Sequence, residues 1–394
     1  MRLKRLEEAD IKGKKVLLRL DLDSPIQNGS VLDTINIDLS IPTLRYVLDR
    51  TSKLVICSHI GVGQRSFNAL QSLEPIGSVL ADILGKDIIF VDDYLHEPVE
   101  QILNQMDSNQ IILLENLRFH QGEKDNNFEF ASTLARGMDF YVNDAFSMLS
   151  SKVASVGAIT KCFSSNHVLA GLSVSREIDA FEKMMVSQSP FTVVLGGSNI
   201  STKTGAILSL LNRCNNLILG GSIAHTFMRY KNIPVGMSKV DEERLKLVEL
   251  IFKNAEARRV NIHLPVDHIG ARSLQNPSSS VVLDDATIGE GFYGMDIGPK
   301  TIKKYSDIIE NSRGVFFSGS MGVHEQESFS SGSVAIARSI ANSAATSYVT
   351  GRSVLSLLNK EDLLGKIDHV LLGDKTFFDL VEGKVLPGIA PLLK

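Results

Sequence analysis

The chain has 394 residues, of which 43% are hydrophobic and 22% charged. That is enough for two domains with buried cores, and it excludes a disordered, collagen-like or small disulfide-stapled protein. The 41 Lys and Arg against 45 Asp and Glu leave a formal net charge of -4, so no overall positive field favours nucleic acid or an anionic membrane. We expect a cytoplasmic protein, since no signal peptide or bilayer-length apolar run is recognisable and the three distant cysteines suggest no disulfide framework.

Short apolar runs rich in Val, Ile and Leu predict buried strands. A first series covers residues 16–20, 54–57, 88–91, 111–114 and 140–142. A second series covers residues 191–195, 217–219, 262–266, 314–317, 348–349 and 370–372. Helix-period segments lie between the runs, and residues 241–259 form the clearest one, with acidic residues in the first turn and arginines in the last. Alternating strands and helices predict parallel sheets.

Two series of this size exceed what one open sheet usually carries. They predict an α/β fold with two doubly wound, Rossmann-like parallel-sheet domains joined by a hinge helix. The break falls near residues 170–190, where residues 176–185 have helical spacing and no strand signal. We therefore expect an N-terminal domain over residues 1–172 and a C-terminal domain over residues 173–394. Residues 276–280 and 330–333 are expected to form local loops.

Glycine follows three of the predicted strands in the second series. Ligands of open α/β sheets bind beyond the carboxyl ends of the strands, where glycine lets a phosphate or a flat base approach the backbone. Ordinary turn chemistry explains a single glycine pair. Three glycine-containing turns at equivalent positions favour a nucleotide site: Gly196-Gly197, Gly220-Gly221 and Gly319-Ser320.

Charged side chains follow strands of the first series. His59 and Arg118 suit an anionic substrate, and Asp21 suits its hydroxyl group. Each residue also has a plainer interpretation, because Arg118 can pair with Glu115 or Asp144 and Asp21 can cap a loop. The residues taken singly leave both interpretations open.

Taken in order, these segments resemble the phosphoglycerate kinase family over nearly the whole chain. The segments that carry the resemblance are residues 114–120, 142–146, 264–267, 296–301 and 321–323. The resemblance implies two domains that close about a hinge, with 3-phosphoglycerate on the N-terminal one and Mg-ATP or Mg-ADP on the C-terminal one. It further implies that roughly the last fifteen residues pack back on the N-terminal domain, and that the protein is a monomer.

The resemblance also assigns residues to the N-terminal site. Its substrate-binding positions fall on Asp21, Asp23, His59 and Arg118. Asp23 replaces an asparagine of the family, and a carboxylate there repels an anionic substrate. The catalytic arginine of the family aligns with Asn36, so the main transition-state cation is absent. Further arginines and histidines are missing from residues 58–63 and 147–153, where Lys152 is the nearby basic replacement.

On the C-terminal side, the nucleotide-binding positions fall on Gly196, Gly197, Lys203, Gly220, Gly319, Glu325 and Ser353. Lys203 is the catalytic residue that remains, while Asn199 replaces a second phosphate-facing lysine. The magnesium-binding aspartate of the family aligns with Arg352, which offers no ligand oxygen, so no metal ligand is assigned. Asp374 adds a carboxylate where the family has glycine. These changes leave open whether Mg-ATP or Mg-ADP still binds.

Phosphoryl transfer depends on positioning and electrostatics, and one transition-state arginine carries about 10³ to 10⁵ in rate. Losing an arginine, a lysine and a metal ligand together predicts a fall of at least about 10⁴. We therefore expect a family member whose catalysis is strongly reduced or lost, a pseudoenzyme that persists as a binding or regulatory protein.

Two alternatives stay open. One is an active phosphoglycerate kinase in which Lys152, Lys203 and Arg118 compensate, which nucleotide affinity and turnover would reveal. The other is a kinase for a less anionic substrate held by Asp21 and Asp23, which a new metal ligand near residues 350–353 would support. Ser353 is the one candidate there.

Overall fold

The computed structural model describes residues 1–61, 71–97, 99–274 and 280–394. They divide into two compact units. Unit 1 comprises Met1–Asp179 and Val385–Lys394, and unit 2 comprises Ala180–Lys384. Residues 62 and 63, and residues 276–279 of the expected loop at 276–280, lie outside the described residues.

In the described part of the chain, unit 1 contains eight strands and the start of a long helix that continues into unit 2. The strands are β1 (Val16–Arg19), β2 (Ile26–Gln27), β3 (Ser30–Val31), β4 (Leu54–Cys57), β5 (Asp87–Val91), β6 (Gln110–Leu114), β7 (Phe140–Asn143) and β8 (Val168–Ala170). The helices are α1 (Ile35–Leu48), α2 (Glu74–Leu84), α3 (Val99–Gln105), α4 (Gln121–Lys124), α5 (Phe128–Ala135) and α6 (Leu172–Met185). The sequence predicted a domain boundary between residues 172 and 173, which is at the start of α6. The two compact units instead divide within α6, after Asp179.

Six strands of unit 1 form a parallel sheet in the order β5-β6-β4-β1-β7-β8. Its central strands β1, β4 and β7 are buried at every residue, as expected where helices cover both faces. The register pairs Arg19 with Cys57 on one side and with Asn143 on the other. The segments that follow these three strands therefore leave the sheet at one level, where a site can form.

Residues 385–394 complete unit 1. Near the amino terminus, the N–H of Lys4 donates to the carbonyl oxygen of Leu392 (2.7 Å), and the N–H of Lys394 donates to that of Arg2 (2.9 Å). The N–H of Gly388 donates to the carbonyl oxygen of Leu149. Unit 1 is thus assembled from two segments that are distant in the chain.

Unit 2 contains nine strands and seven further helices among the described residues. The strands are β9 (Phe191–Leu195), β10 (Asn216–Leu219), β11 (Asn261–His263), β12 (His268–Ala271), β13 (Val281–Leu283), β14 (Tyr293–Ile297), β15 (Gly314–Ser318), β16 (Thr346–Thr350) and β17 (His369–Leu371). The helices are α7 (Thr204–Leu210), α8 (Gly221–Tyr230), α9 (Leu245–Arg258), α10 (Pro299–Glu310), α11 (Ser331–Asn342), α12 (Arg352–Lys360) and α13 (Asp374–Val381).

The second parallel sheet has the order β11-β10-β9-β15-β16-β17. Its register pairs Ser318 with Leu195 and with Thr350, so the loops after β9, β15 and β16 also begin at one level. The prediction of an α/β fold with two parallel sheets is confirmed. None of the described helices combines the length and the apolar composition that crossing a membrane requires.

Several features differ from the sequence-based expectation. The pair β2-β3, strand β8 and the antiparallel sheet β13-β12-β14 were not predicted, because these strands have only two to five residues. In addition, β12 and β14 contain glycine and polar residues. The helix expected over residues 241–259 starts as a 3₁₀ turn at Glu242–Arg244, and its α-helical part ends before Arg259. Arg259 adopts a left-handed backbone (φ 57°), which terminates the helix.

Candidate functional site

A fully buried arginine ends β1. From the Arg19 guanidinium, Nη2 donates to Nδ1 of His59 (2.9 Å), Nε donates to Oγ of Ser155 (3.0 Å), and Nη1 donates to the carbonyl oxygen of Leu20. Because a guanidinium carries only donors, Nδ1 of His59 must accept, and the proton of the imidazole lies on Nε2. Arg19 thereby fixes the tautomer of a predicted substrate-binding residue.

A buried carboxylate lies on the other side of Ser155. Oε1 of Glu123 accepts from Oγ of Ser155 (2.6 Å), and Oε2 accepts from the N–H of Ser155 (2.8 Å). We call the chain Glu123–Ser155–Arg19–His59 the Arg19 network. It balances the buried charge of Arg19 with that of Glu123, as a buried ion pair requires. Sequence reasoning missed this role, since no sequence pattern shows that Glu123 meets Arg19 through a serine.

The predicted substrate-binding residues Asp23 and Arg118 meet at Gly61. The N–H of Gly61 donates to Oδ1 of Asp23 (3.0 Å), and Nη1 of Arg118 donates to the carbonyl oxygen of Gly61. Nδ2 of Asn36 donates to the backbone carbonyl oxygen of Asp23 (3.1 Å). The structure therefore brings the substituted positions 23 and 36 together with Arg118.

The plainer interpretation of Arg118 is wrong. The carboxylate of Glu115 accepts instead from Oγ of Ser72 (2.8 Å) and from the N–H of Leu73 (2.9 Å). Oδ1 of Asp144 accepts from the first N–H groups of α6, those of Ser173 (2.7 Å) and Val174 (3.1 Å). Both carboxylates therefore accept from groups other than Arg118, whose Nη1 donates to the carbonyl oxygen of Gly61.

Burial is the largest cause of the pKa shifts of Asp21 and Arg118 at the carboxyl edge of the first sheet. It raises the pKa of the Asp21 carboxyl, while a hydrogen bond with Ser147 and the charge of Arg19 act in the opposite direction. Burial also lowers the pKa of Arg118, and the nearby charge of Arg19 adds to that effect, whereas Asp23 opposes it. Acidic and basic side chains therefore alternate along this edge of the sheet. Through its hydrogen bond with Ser147, Asp21 also contacts the segment that follows β7.

In unit 2, the loops after β9 and β15 pack backbone against backbone. The N–H of Gly196 donates to the carbonyl oxygen of Ser318, and the N–H of Gly197 donates to that of Ser320, both across 2.9 Å. A Cβ atom at Gly196 would collide with the Ser320 carbonyl oxygen, and Gly319 has φ +96°. Glycine is therefore needed at positions 196 and 319 so that the two loops can pack closely against each other, whether or not a nucleotide binds.

A cavity of about 200 Å³ opens beside these loops. Gly197, Glu325 and Ser353 line it, together with residues that sequence reasoning did not assign, among them Gly294 and Met295 of β14. Gly294 belongs to a strand that was not predicted, so no signal pointed to it. Among the described residues that line the cavity, Glu325 alone carries a charge. The predicted residues Gly196, Lys203, Gly220 and Gly319 are not part of its lining.

Lys203 contacts the carboxyl ends of β9 and β15 and is only 8% exposed to solvent. Its Nζ donates to the carbonyl oxygens of Gly196 (3.2 Å) and Ser318 (3.3 Å) and to Oγ of Ser318 (3.0 Å). Oγ of Ser318 in turn donates to Oδ1 of Asp374 (2.8 Å). Burial lowers the pKa of Lys203, and the charge of Asp374 opposes that shift. We call this chain the Lys203 network.

The residues beside the cavity do not fit a preformed magnesium site. In the described parts of the chain, no three His, Cys, Asp or Glu side chains come together as metal ligands. Arg352 is the exposed first residue of α12, and Asp374 already accepts from Ser318. A hard divalent cation prefers oxygen ligands, and an arginine offers none.

A family model described as phosphoglycerate kinase matches residues 6–384. The chain belongs to the phosphoglycerate kinase family. The phosphoglycerate kinase of Anaeromyxobacter dehalogenans is 33% identical over 393 residues, which cover 99% of each chain. That of Microcystis aeruginosa is 34% identical over 393 residues, covering 98% of this chain and 97% of the relative.

Solved phosphoglycerate kinases share the fold. The structure from Coxiella burnetii has a TM-score of 0.83 and 30% identity, covering 99% of this chain and 98% of that one. The structure from Pyrococcus horikoshii OT3 has a TM-score of 0.85 and 26% identity, covering 98% of both chains. The resemblance found in the sequence is confirmed. The family uses Mg-ATP or Mg-ADP in phosphoryl transfer to or from phosphoglycerate.

Proposed function

We propose that this chain is a phosphoglycerate-kinase-family protein whose phosphoryl transfer is strongly reduced or lost, and that it persists by binding a nucleotide and a small phosphorylated metabolite. The observation that carries the proposal is Asn36, at the position where the resemblance places the catalytic arginine. Its side-chain amide donates to the Asp23 backbone and brings no positive charge to the site. The transferring phosphoryl group thus loses its main stabilising cation.

The expected loss is large. A transition-state arginine carries about 10³ to 10⁵ in rate, and typical kinases turn over about 1 to 100 times per second. Asn199 adds the loss of a lysine, and Arg352 adds that of a metal ligand, although such effects combine non-additively. A fall of at least about 10⁴ brings turnover below about 0.01 per second.

The N-terminal site adds a second argument. Asp21 and Asp23 place two carboxyl groups beside Arg118, and a charged carboxylate at position 23 repels an anionic metabolite. Arg118 still offers donors for a phosphate or carboxylate group. Binding of a phosphorylated metabolite is therefore weakened rather than abolished.

The decisive measurement is the reverse reaction, with Mg-ATP and 3-phosphoglycerate, coupled to NADH consumption. High protein concentration makes about one turnover per hour visible against the usual range for kinases. We expect less than about 0.01 turnovers per second. A Lys203→Ala variant purified in parallel measures the background from host enzyme. Turnover of many per second would overturn the proposal and establish an active phosphoglycerate kinase with compensating residues.

A further inference from the structure

The Lys203 network satisfies its lysine within the protein. An ammonium group has three N–H donors, and the three acceptors of Lys203 Nζ are all protein oxygens, two of Ser318 and one of Gly196. An arriving phosphate must therefore displace at least one of these bonds before it can contact Nζ.

The network also satisfies the charge of the lysine. Oγ of Ser318 accepts from Lys203 and donates to Asp374, so one hydroxyl connects the cation to a carboxylate. Asp374 lies at the start of α13, where the positive end of a helix dipole favours a negative charge. Lys375 and Lys384 both form ion pairs with Asp379.

The network adjoins the cavity of unit 2 on two sides. Gly196, which accepts from Lys203, precedes the cavity-lining Gly197. On the other side, Asp374 lies close to Gly351, because a Cβ atom built at Gly351 would be 3.7 Å from Oδ1 of Asp374. Ser353, which follows Gly351 by two residues in the chain, lines the cavity. The carboxylate of Asp374 is thus held at the edge of the cavity.

We propose that Asp374 is an internal counter-ion for Lys203 at the edge of the cavity, and that the cavity consequently binds a nucleoside in preference to a nucleoside diphosphate. The inference rests on the proposed function, which makes this cavity the nucleotide site. Its glycine and serine lining suits a flat base, and the exposed carboxylate of Glu325 can accept from ribose hydroxyls. The carboxylates of Glu325 and Asp374 both repel a polyphosphate, so binding of the diphosphate is weakened.

Isothermal titration calorimetry with adenosine, AMP and ADP, each with and without Mg²⁺, tests the proposal. The wild-type chain should bind adenosine at least as tightly as ADP. Asp374→Asn keeps an oxygen that accepts from Ser318 but removes the charge, and it should tighten ADP binding by about tenfold while changing adenosine binding less than twofold. Asp307→Asn removes an exposed carboxylate from α10 and should change neither affinity.

The outcomes separate the two proposals. Wild-type binding of ADP that is tighter than that of adenosine, or an unchanged ADP affinity in Asp374→Asn, overturns the counter-ion role. Absent kinase turnover would in that case leave the proposed loss of catalysis intact. If the wild-type chain melts cooperatively but binds neither ligand, nucleotide binding itself is contradicted. That result overturns the counter-ion role and the binding part of the proposed function.

Discussion

Arg19 and His59 are joined by a hydrogen bond of 2.9 Å from a guanidinium nitrogen to Nδ1 of the imidazole. The bond leaves Nε2 of His59 as the protonated nitrogen, so a buried residue of β1 determines which nitrogen of His59 can donate. Glu123 supports the arrangement from the far side of Ser155. The N-terminal site is therefore anchored in the core of its sheet.

Replacing Arg19 by Met should lower the free energy of unfolding by about 3–5 kcal/mol, because Glu123 would remain buried without its cation. Urea denaturation measures the change. Arg45→Met, at an exposed position of α1, is the matched control and should stay within about 0.5 kcal/mol of the wild type. Equal effects of the two substitutions would show that the Arg19 network does not stabilise unit 1.

Asp23→Asn should strengthen binding of 3-phosphoglycerate by about tenfold, because it removes a negative charge close to Arg118. The amide oxygen of the new side chain can still accept from the N–H of Gly61. Titration calorimetry gives the affinity, and Asp49→Asn, an exposed acid at the end of α1, controls for net charge. Unchanged affinity in Asp23→Asn would mean that the anion does not approach this carboxylate.

Restoring the three positions of the family should restore turnover. The triple variant Asn36→Arg, Asn199→Lys and Arg352→Asp returns an arginine, a lysine and a metal ligand, and it should exceed the wild-type rate by at least about 100-fold in the NADH-coupled assay. A version with Lys at position 36 supplies charge without the planar fork of arginine, and it should recover less. If the triple variant is as slow as the wild type, the cause of the low rate lies elsewhere in the chain.

Asp144 should make stability depend on pH. Burial raises its pKa to about 6, above the value of about 4 expected in an unfolded chain. The folded state therefore holds the proton more tightly, so the contribution of this group is fully present below pH about 4 and is lost as the pH rises through about 6.

The shift corresponds to about 3 kcal/mol in the free energy of unfolding. Asp144→Asn does not titrate, and its amide oxygen can still accept from Ser173 and Val174. Urea denaturation between pH 4 and 7 should show the variant gaining on the wild type as the pH rises. A difference that is constant across this range would contradict the shifted pKa.

The strands of both parallel sheets were largely predictable, because their apolar runs are long enough to stand out. Residues 54–57 and 191–195 match β4 and β9 residue for residue. Strands such as β12 and β13 are short, and β13 has two exposed valines, so neither periodicity nor composition marked them.

The candidate site was predictable in its positions and less so in its partners. Arg118 and Asp23 follow strands that end at the same edge, and the structure brings both to Gly61. By contrast, the bond from Ser318 to Asp374 joins the last residue of β15 to the first residue of α13, and the role of Arg19 depends on a glutamate from another element. Such relationships follow from packing in three dimensions, which spacing along the chain does not encode.

Unit 1 needs residues that the ribosome adds only after all of unit 2. Residues 385–394 supply the partners of Arg2, Lys4 and Leu149, and about 200 residues of unit 2 precede them. At typical synthesis rates, roughly 10 to 40 s pass between translation of Asp179 and translation of Val385. During that interval unit 1 lacks these backbone hydrogen bonds, so its folding cannot be completed before the whole of unit 2 has been synthesised.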